Sequence, residues 1–170
     1  MHIYLIGFMG SGKSHWGRLL SKQINWPYFD LDQVIQDKAG KTIAEIFAQE
    51  GEAFFRQLEH DTLLALSQNK QPMILSCGGG TPCFFNNMAV MKQQGKVVWL
   101  DTAEQVLLER LQKEKSHRPL IRDIPDDELR AFIHTKRQER KAYYEQADIQ
   151  LSEETLTLPA LEKILFDNGK

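Results

Sequence analysis

His2-Ile3-Tyr4-Leu5-Ile6 runs straight into Gly7-Phe8-Met9-Gly10-Ser11-Gly12-Lys13-Ser14, and Trp16-Gly17-Arg18-Leu19-Leu20 follows. An apolar run, a glycine-rich turn and an amphipathic segment in that order predict a strand, a loop and a helix. In that context the spacing G-x-x-x-x-G-K-[ST] carries a mechanism. The glycines let the backbone turn its N–H groups toward phosphate oxygens, and the helix adds the positive end of its dipole. Gly10, Ser11 and Gly12 form the cradle, and Lys13 reaches the β- and γ-phosphates. The Ser14 hydroxyl is placed to ligate Mg²⁺. The stretch therefore reads as a nucleoside-triphosphate site.

The totals narrow what surrounds it. A chain of 170 residues is expected to form one domain with a proper core. Its hydrophobic share of 42% and charged share of 26% are those of an ordinary globular protein. A net charge of −2 argues against a broad nucleic-acid-binding surface. No apolar run approaches the ~20 residues of a membrane span, and the apolar start enters the phosphate loop directly, unlike a secretory leader. Two cysteines, Cys77 and Cys83, make no disulfide framework, so a cytoplasmic location is expected.

Working outward from the loop, the first helix is predicted over 13–24, stopped by Asn25-Trp26-Pro27. Tyr28-Phe29 opens a short strand ending in Asp30-Leu31-Asp32. Two carboxylates just after a strand project at the carboxyl edge of the sheet, where open α/β sheets bind ligands. Capping of the next helix, expected over 33–38, would explain one of them but hardly both. Thr42 with Glu45 reads as a capping box, Gly51 as a stop, and 52–67 as a longer helix. Arg56 and Glu59 on that helix, taken alone, read as an i,i+3 surface pair.

Met73-Ile74-Leu75-Ser76 predicts a buried parallel strand, and Cys77-Gly78-Gly79-Gly80 after it exposes backbone to a ligand. A helix over 86–94 carries Met88 and Met91 into the core. Val97-Val98-Trp99-Leu100 is another strand, closed by Asp101, with Thr102 expected to cap the helix that bears Leu107, Leu108 and Leu111. The charged run Lys113 to Arg118 reads as a solvated loop or a lid. A helix follows from Pro125 to about Gln146, then an edge strand at Ile149-Gln150-Leu151 and a closing helix over 158–166. The five histidines show no metal spacing and read as surface or incidental positions. Strands alternating with helices predict a three-layer α/β domain with a mainly parallel five-stranded sheet and helices on both faces.

Several motifs then fall in one order: 7–14, Asp30-Leu31-Asp32, Gly51-Glu52 through Phe55-Arg56 and Glu59, Gly78-Gly79-Gly80, Arg118-Pro119-Leu120, and Arg140 with Tyr144. The set resembles the shikimate kinase family of P-loop kinases, related to nucleoside monophosphate kinases. The resemblance spans nearly the whole chain. It implies ATP-dependent phosphorylation of the shikimate 3-hydroxyl, in chorismate and aromatic amino-acid biosynthesis, by a monomer whose partners are shikimate and ATP. It also implies a 2-3-1-4-5 sheet, a substrate-binding region near 31–60 and a mobile lid near 112–123. By the same resemblance Asp32 serves as base and Asp30 joins Ser14 at Mg²⁺. Arg56 and Arg140 bind the substrate carboxylate, and Glu59 supports Arg56. Gly78, Gly79 and Gly80 offer backbone, and Phe47 and Phe55 are apolar walls. Arg118 reaches over the phosphates, while His15 and Arg110 belong to the nucleotide side.

Two departures from the family pattern bear on those roles. The arginine expected seven residues before Arg118 is replaced by Leu111, with Arg110 one position earlier. The segment before Tyr144 lacks the usual Pro-Leu pair, which makes Arg137 a competitor for the carboxylate role. Two alternatives remain at this point: another small-metabolite kinase such as a gluconate kinase, and a nucleotide-dependent regulatory switch.

Overall fold

The computed structural model describes residues 1–166. The strand β1 (His2–Ile6) is buried along its whole length, and its side chains alternate between the two faces of a sheet. Ile3 and Leu5 pack with α1 (Lys13–Ile24) and α8 (Leu158–Phe166) through Trp16, Leu20, Leu161 and Leu165. Tyr4 and Ile6 enter the opposite core. There they meet α2 (Leu31–Ala39), α3 (Ile43–Glu50), α4 (Glu52–Ser67) and α5 (Asn87–Gln94). One alternating strand thus specifies a three-layer sandwich.

Four more strands, β2 (Tyr28–Asp30), β3 (Ile74–Ser76), β4 (Gly95–Asp101) and β5 (Ile149–Ser152), complete a five-stranded sheet among the described residues. All its pairings are parallel, in the order β2-β3-β1-β4-β5. The order expected from the resemblance is the order found. A third cluster sits above the carboxyl edge, where Phe8 packs among Leu107, Leu108 and Leu111 of α6 (Glu104–Glu114) and Leu129 and Ile133 of α7 (Asp126–Tyr144).

The structure moves several boundaries. Asp30 caps α2 by accepting from the Gln33 N–H at 3.2 Å, so the helix begins at Leu31 with no intervening loop. Asp32 is therefore a first-turn helical residue and not the end of the strand. Thr102 is not a cap. Its hydroxyl, 2% exposed, donates to the Ser11 carbonyl at 3.3 Å. Glu154 accepts from the Ala103 N–H instead, at the start of α6. The last long helix stops at Tyr144, where Gln146 and Ala147 tighten the turn by donating to the carbonyls of Tyr143 and Tyr144. His2 is buried, and its Nε2 lies 3.2 Å from the Ser67 carbonyl, so it is a core residue and not a surface one. The 112–123 segment is only partly a solvated loop, because Ile121 is buried in the α6–α7 cluster.

Candidate active site

The phosphate loop joins β1 to α1 at the carboxyl edge, and its shape is set by close packing. Gly7 has φ +144°, and a Cβ there would lie 2.7 Å from the Leu100 carbonyl. Lys13 turns its ammonium back across the loop, donating to the carbonyls of Gly7 at 2.8 Å and Phe8 at 2.9 Å. Burial lowers its pKa to about 8, with Asp32 opposing the shift. An ammonium so placed is ready for exchange from carbonyl to phosphate oxygens. The Ser14 hydroxyl donates to Asp30 Oδ2 at 3.3 Å.

A cavity of about 500 Å³ opens over the loop. Gly10, Gly12, Lys13, Ser14, His15, Asp30, Asp32, Gly78, Gly79, Arg110 and Arg118 line it, joined by Ser76, Glu114 and Glu153. Ser11 is buried behind it. Asp32 faces the triple glycine: a Cβ on Gly78 would lie 3.4 Å from its Oδ1. Burial first, then the charges of Asp30 and Glu59, push the Asp32 pKa up to about 6. A carboxylate with that pKa is ionised near neutrality and remains a useful proton acceptor.

Arg56, Glu59 and Arg140 lie against the three glycines. Arg56 donates from Nη1 to Glu59 Oε1 at 2.9 Å, and Glu59 is 1% exposed. The i,i+3 pair is therefore buried at the site, and the surface-pair reading is corrected. A Cβ on Gly80 would lie 2.7 Å from Arg56 Nη2, and one on Gly79 would lie 2.9 Å from Arg140 Nη1. Two guanidinium groups from helices 84 positions apart in sequence thus pack on consecutive glycines. Tyr144 fixes the loop by donating to the Gly79 carbonyl at 2.6 Å, and Phe8 underlies Arg140 at 5.5 Å. Phe47 and Phe55 pair at 4.6 Å between ring centroids. Arg137 is not brought here. It is held by Asp101 at 3.0 Å and Glu104 at 3.3 Å.

On the nucleotide side Arg118 pairs with Glu114, donating from Nε at 2.7 Å. Arg110 donates to the Gly10 carbonyl and to Glu153, both at 2.9 Å. Glu153 also accepts from the Trp16 indole at 3.1 Å. Nothing in the sequence marked Glu153, since it lies 137 positions from Trp16 and carries no motif. Cys77 is buried, with its Sγ 3.7 Å from the Met91 sulfur, and burial raises its pKa.

A phosphate loop on a 2-3-1-4-5 parallel sheet, facing a half-buried carboxylate across one cavity with two arginines packed on the adjoining glycines, defines a P-loop kinase acting on a small acidic molecule. A sequence model of the family "Shikimate kinase" matches residues 9–165. The shikimate kinase of Bacteroides fragilis is 39% identical over 148 residues, covering 87% of this chain and 82% of that one. The crystal structure of the Bacteroides thetaiotaomicron shikimate kinase superposes with a TM-score of 0.92 at 35% identity, covering 97% of this chain and 98% of that one. The Acinetobacter baumannii shikimate kinase, solved in complex with shikimate, gives 0.87 at 30% identity, covering 98% and 93%. The chain belongs to the shikimate kinase family. The gluconate-kinase and switch alternatives give way to that assignment.

Proposed function

We propose that this chain transfers the γ-phosphoryl group of ATP to the 3-hydroxyl of shikimate through the residues gathered at the cavity. One observation carries the assignment of roles. Asp32, Arg140 and Arg56 lie beside Gly78, Gly79 and Gly80 in turn, and Asp32, Gly78 and Gly79 share one cavity with the phosphate loop. Arg56 and Arg140 hold the acceptor carboxylate, and planar guanidinium groups suit that task. The acceptor hydroxyl then points at the γ-phosphate beside Asp32, which takes its proton as the phosphoryl group transfers. Lys13 and Arg118 supply positive charge around the transferring group.

The hydroxyl of Ser14 and the carboxylate of Asp30 offer the hard oxygen ligands that Mg²⁺ prefers, and they already touch. Among the described residues no group of three or more His, Cys, Asp and Glu side chains could hold a metal by itself. That fits an ion shared with substrate phosphates. Ser14 and Asp30 would hold Mg²⁺, which would supply positive charge to neutralise the phosphates. We read residues 112–123 as a lid pivoting on the buried Ile121 and carrying Arg118. We also read the protein as a cytoplasmic monomer. No described helix is long and apolar enough to cross a membrane.

The test is an ADP-release assay with shikimate, shikimate carboxamide, gluconate and no acceptor. Turnover is expected with shikimate, with the carboxamide at least ten-fold poorer in kcat/KM, the scale of one lost charge-assisted bond. Equal turnover of acid and amide would overturn the two-arginine clamp. Turnover with gluconate alone would overturn the substrate.

A further inference from the structure

Behind Arg56 lies a chain of buried hydrogen bonds that reaches the protein surface. Glu59, which takes the Arg56 Nη1–H on Oε1, accepts from the Thr81 hydroxyl on Oε2 at 2.7 Å. The Thr81 carbonyl accepts from Asn87 Nδ2 at 2.9 Å, and Asn87 Oδ1 lies 2.6 Å from His60 Nδ1. Thr81 and Asn87 are both 0% exposed. Because a backbone carbonyl only accepts, Asn87 must turn its NH₂ to Thr81 and its oxygen to His60, so His60 carries a proton on Nδ1. Every link has a fixed donor direction.

The loop between Thr81 and Asn87 does a second thing. Phe84 lies under the Arg56 guanidinium, 4.1 Å from ring centroid to Cζ. The next residue, Phe85, has φ +48° and is 60% exposed, with its ring 4.9 Å from that of His60. A bulky side chain in left-handed backbone is strained and persists only where its surroundings demand it. Here the reversal turns Phe84 inward beneath Arg56 and lets Asn87 reach Thr81.

We propose that Thr81, Phe84 and Asn87 are positioning residues that set Arg56 for the acceptor carboxylate before substrate arrives, and so determine specificity for an acidic acceptor. The inference rests on the reading of Arg56 as a carboxylate ligand. The Glu59 carboxylate is the coupling element: with Thr81 on one oxygen, turning it away from Arg56 breaks a buried hydrogen bond. Phe84 holds the guanidinium plane through a cation–π contact. Arg56 would otherwise be a long side chain with several rotamers, and a ligand would have to order it.

The test is steady-state kinetics on Thr81→Val, which keeps the shape of Thr81 but removes its donor, with Phe84→Leu as a second variant that leaves the buried chain intact. Each is expected to raise KM for shikimate about ten-fold while KM for ATP stays within two-fold, as for loss of one hydrogen bond on a charged group. Thr81→Ser, which keeps the hydroxyl, is expected to restore shikimate KM. In an Arg56→Lys background Thr81→Val is expected to add little, because both changes act through one guanidinium. An unchanged shikimate KM in folded Thr81→Val and Phe84→Leu proteins, or equal rises for ATP and shikimate, would overturn the proposal. If the unsubstituted enzyme fails to discriminate shikimate from its carboxamide, the failure lies instead in the reading of Arg56.

Discussion

Asp32 shows how one side chain can trade stability for chemistry. Its folded pKa of about 6 lies above the ordinary 3.8, so the folded protein holds a proton there that the unfolded chain has released. Stability contributed at this site is complete below pH 3.8 and is lost as pH rises through about 6. At pH 8 the ionised carboxylate costs at most about 3 kcal/mol, from about two pKa units at 1.36 kcal/mol each. Asp32→Asn is therefore expected to raise Tm at pH 8 by a few degrees, while kcat falls by roughly 10² or more. Thermal unfolding and turnover on the same sample check this; a fall in both would mean a structural role. The pH profile carries the same information. kcat/KM should rise through about pH 6 as Asp32 ionises and fall above about pH 8 as Lys13 loses its proton. In Asp32→Asn the acid limb should disappear while the alkaline limb stays.

At the scale of elements, the site is made where helices begin. β1 hands its chain to α1 through the phosphate loop, and β2 hands its chain to α2 with Asp30 as cap, which puts Asp32 on the first turn. The cap and the acidic first turn are what a helix N-terminus favours, so local physics and the site's chemistry agree. The 112–123 segment is built differently. Most of its polar residues are exposed, Ile121 is anchored, Lys115 pairs with Asp126 of α7, and its cavity arginine is held by Glu114 of α6. Such a segment can close by exchanging the part-exposed Arg118–Glu114 ion pair, worth about 1 kcal/mol, for phosphate contacts. Hydrogen exchange across 112–123 is therefore expected to slow at least several-fold when a non-hydrolysable ATP analogue and shikimate bind together. Unchanged exchange at verified saturation would rule the lid out.

For the whole molecule, the parallel order β2-β3-β1-β4-β5 places β1 at the centre, with the carboxyl ends of β1, β2 and β3 side by side. Ser76 of β3 pairs in register with Asp30 of β2 and with Leu5 of β1. The phosphate loop, the aspartates and the triple glycine are thereby set around one opening. The candidate site residues described above all come from one chain, which is consistent with the monomer proposed above. Sedimentation equilibrium at assay concentration is expected to return 19.6 kDa, and twice that mass would overturn the monomer.

The sequence by itself determined whatever depends on neighbours along the chain. The phosphate loop, the bounds of α1, α4 and α8, the Thr42–Glu45 capping box and the alternation of strands and helices were all legible, because glycine spacing, caps and apolar periodicity act locally. Arg56 and Glu59 show the boundary of that reading. Their spacing allowed a pair, but only Thr81 and Gly80, brought in from another loop, make it a buried one. The tertiary structure also decided that Arg140 and not Arg137 stands by the triple glycine, and that Thr102 serves the phosphate loop and not a helix end. Glu153 came to light only there, through bonds to Trp16 and Arg110. The physical reason is the same in each case. A buried polar group must find a partner wherever the fold provides one, and which partner lies within 3 Å is set by how the layers pack.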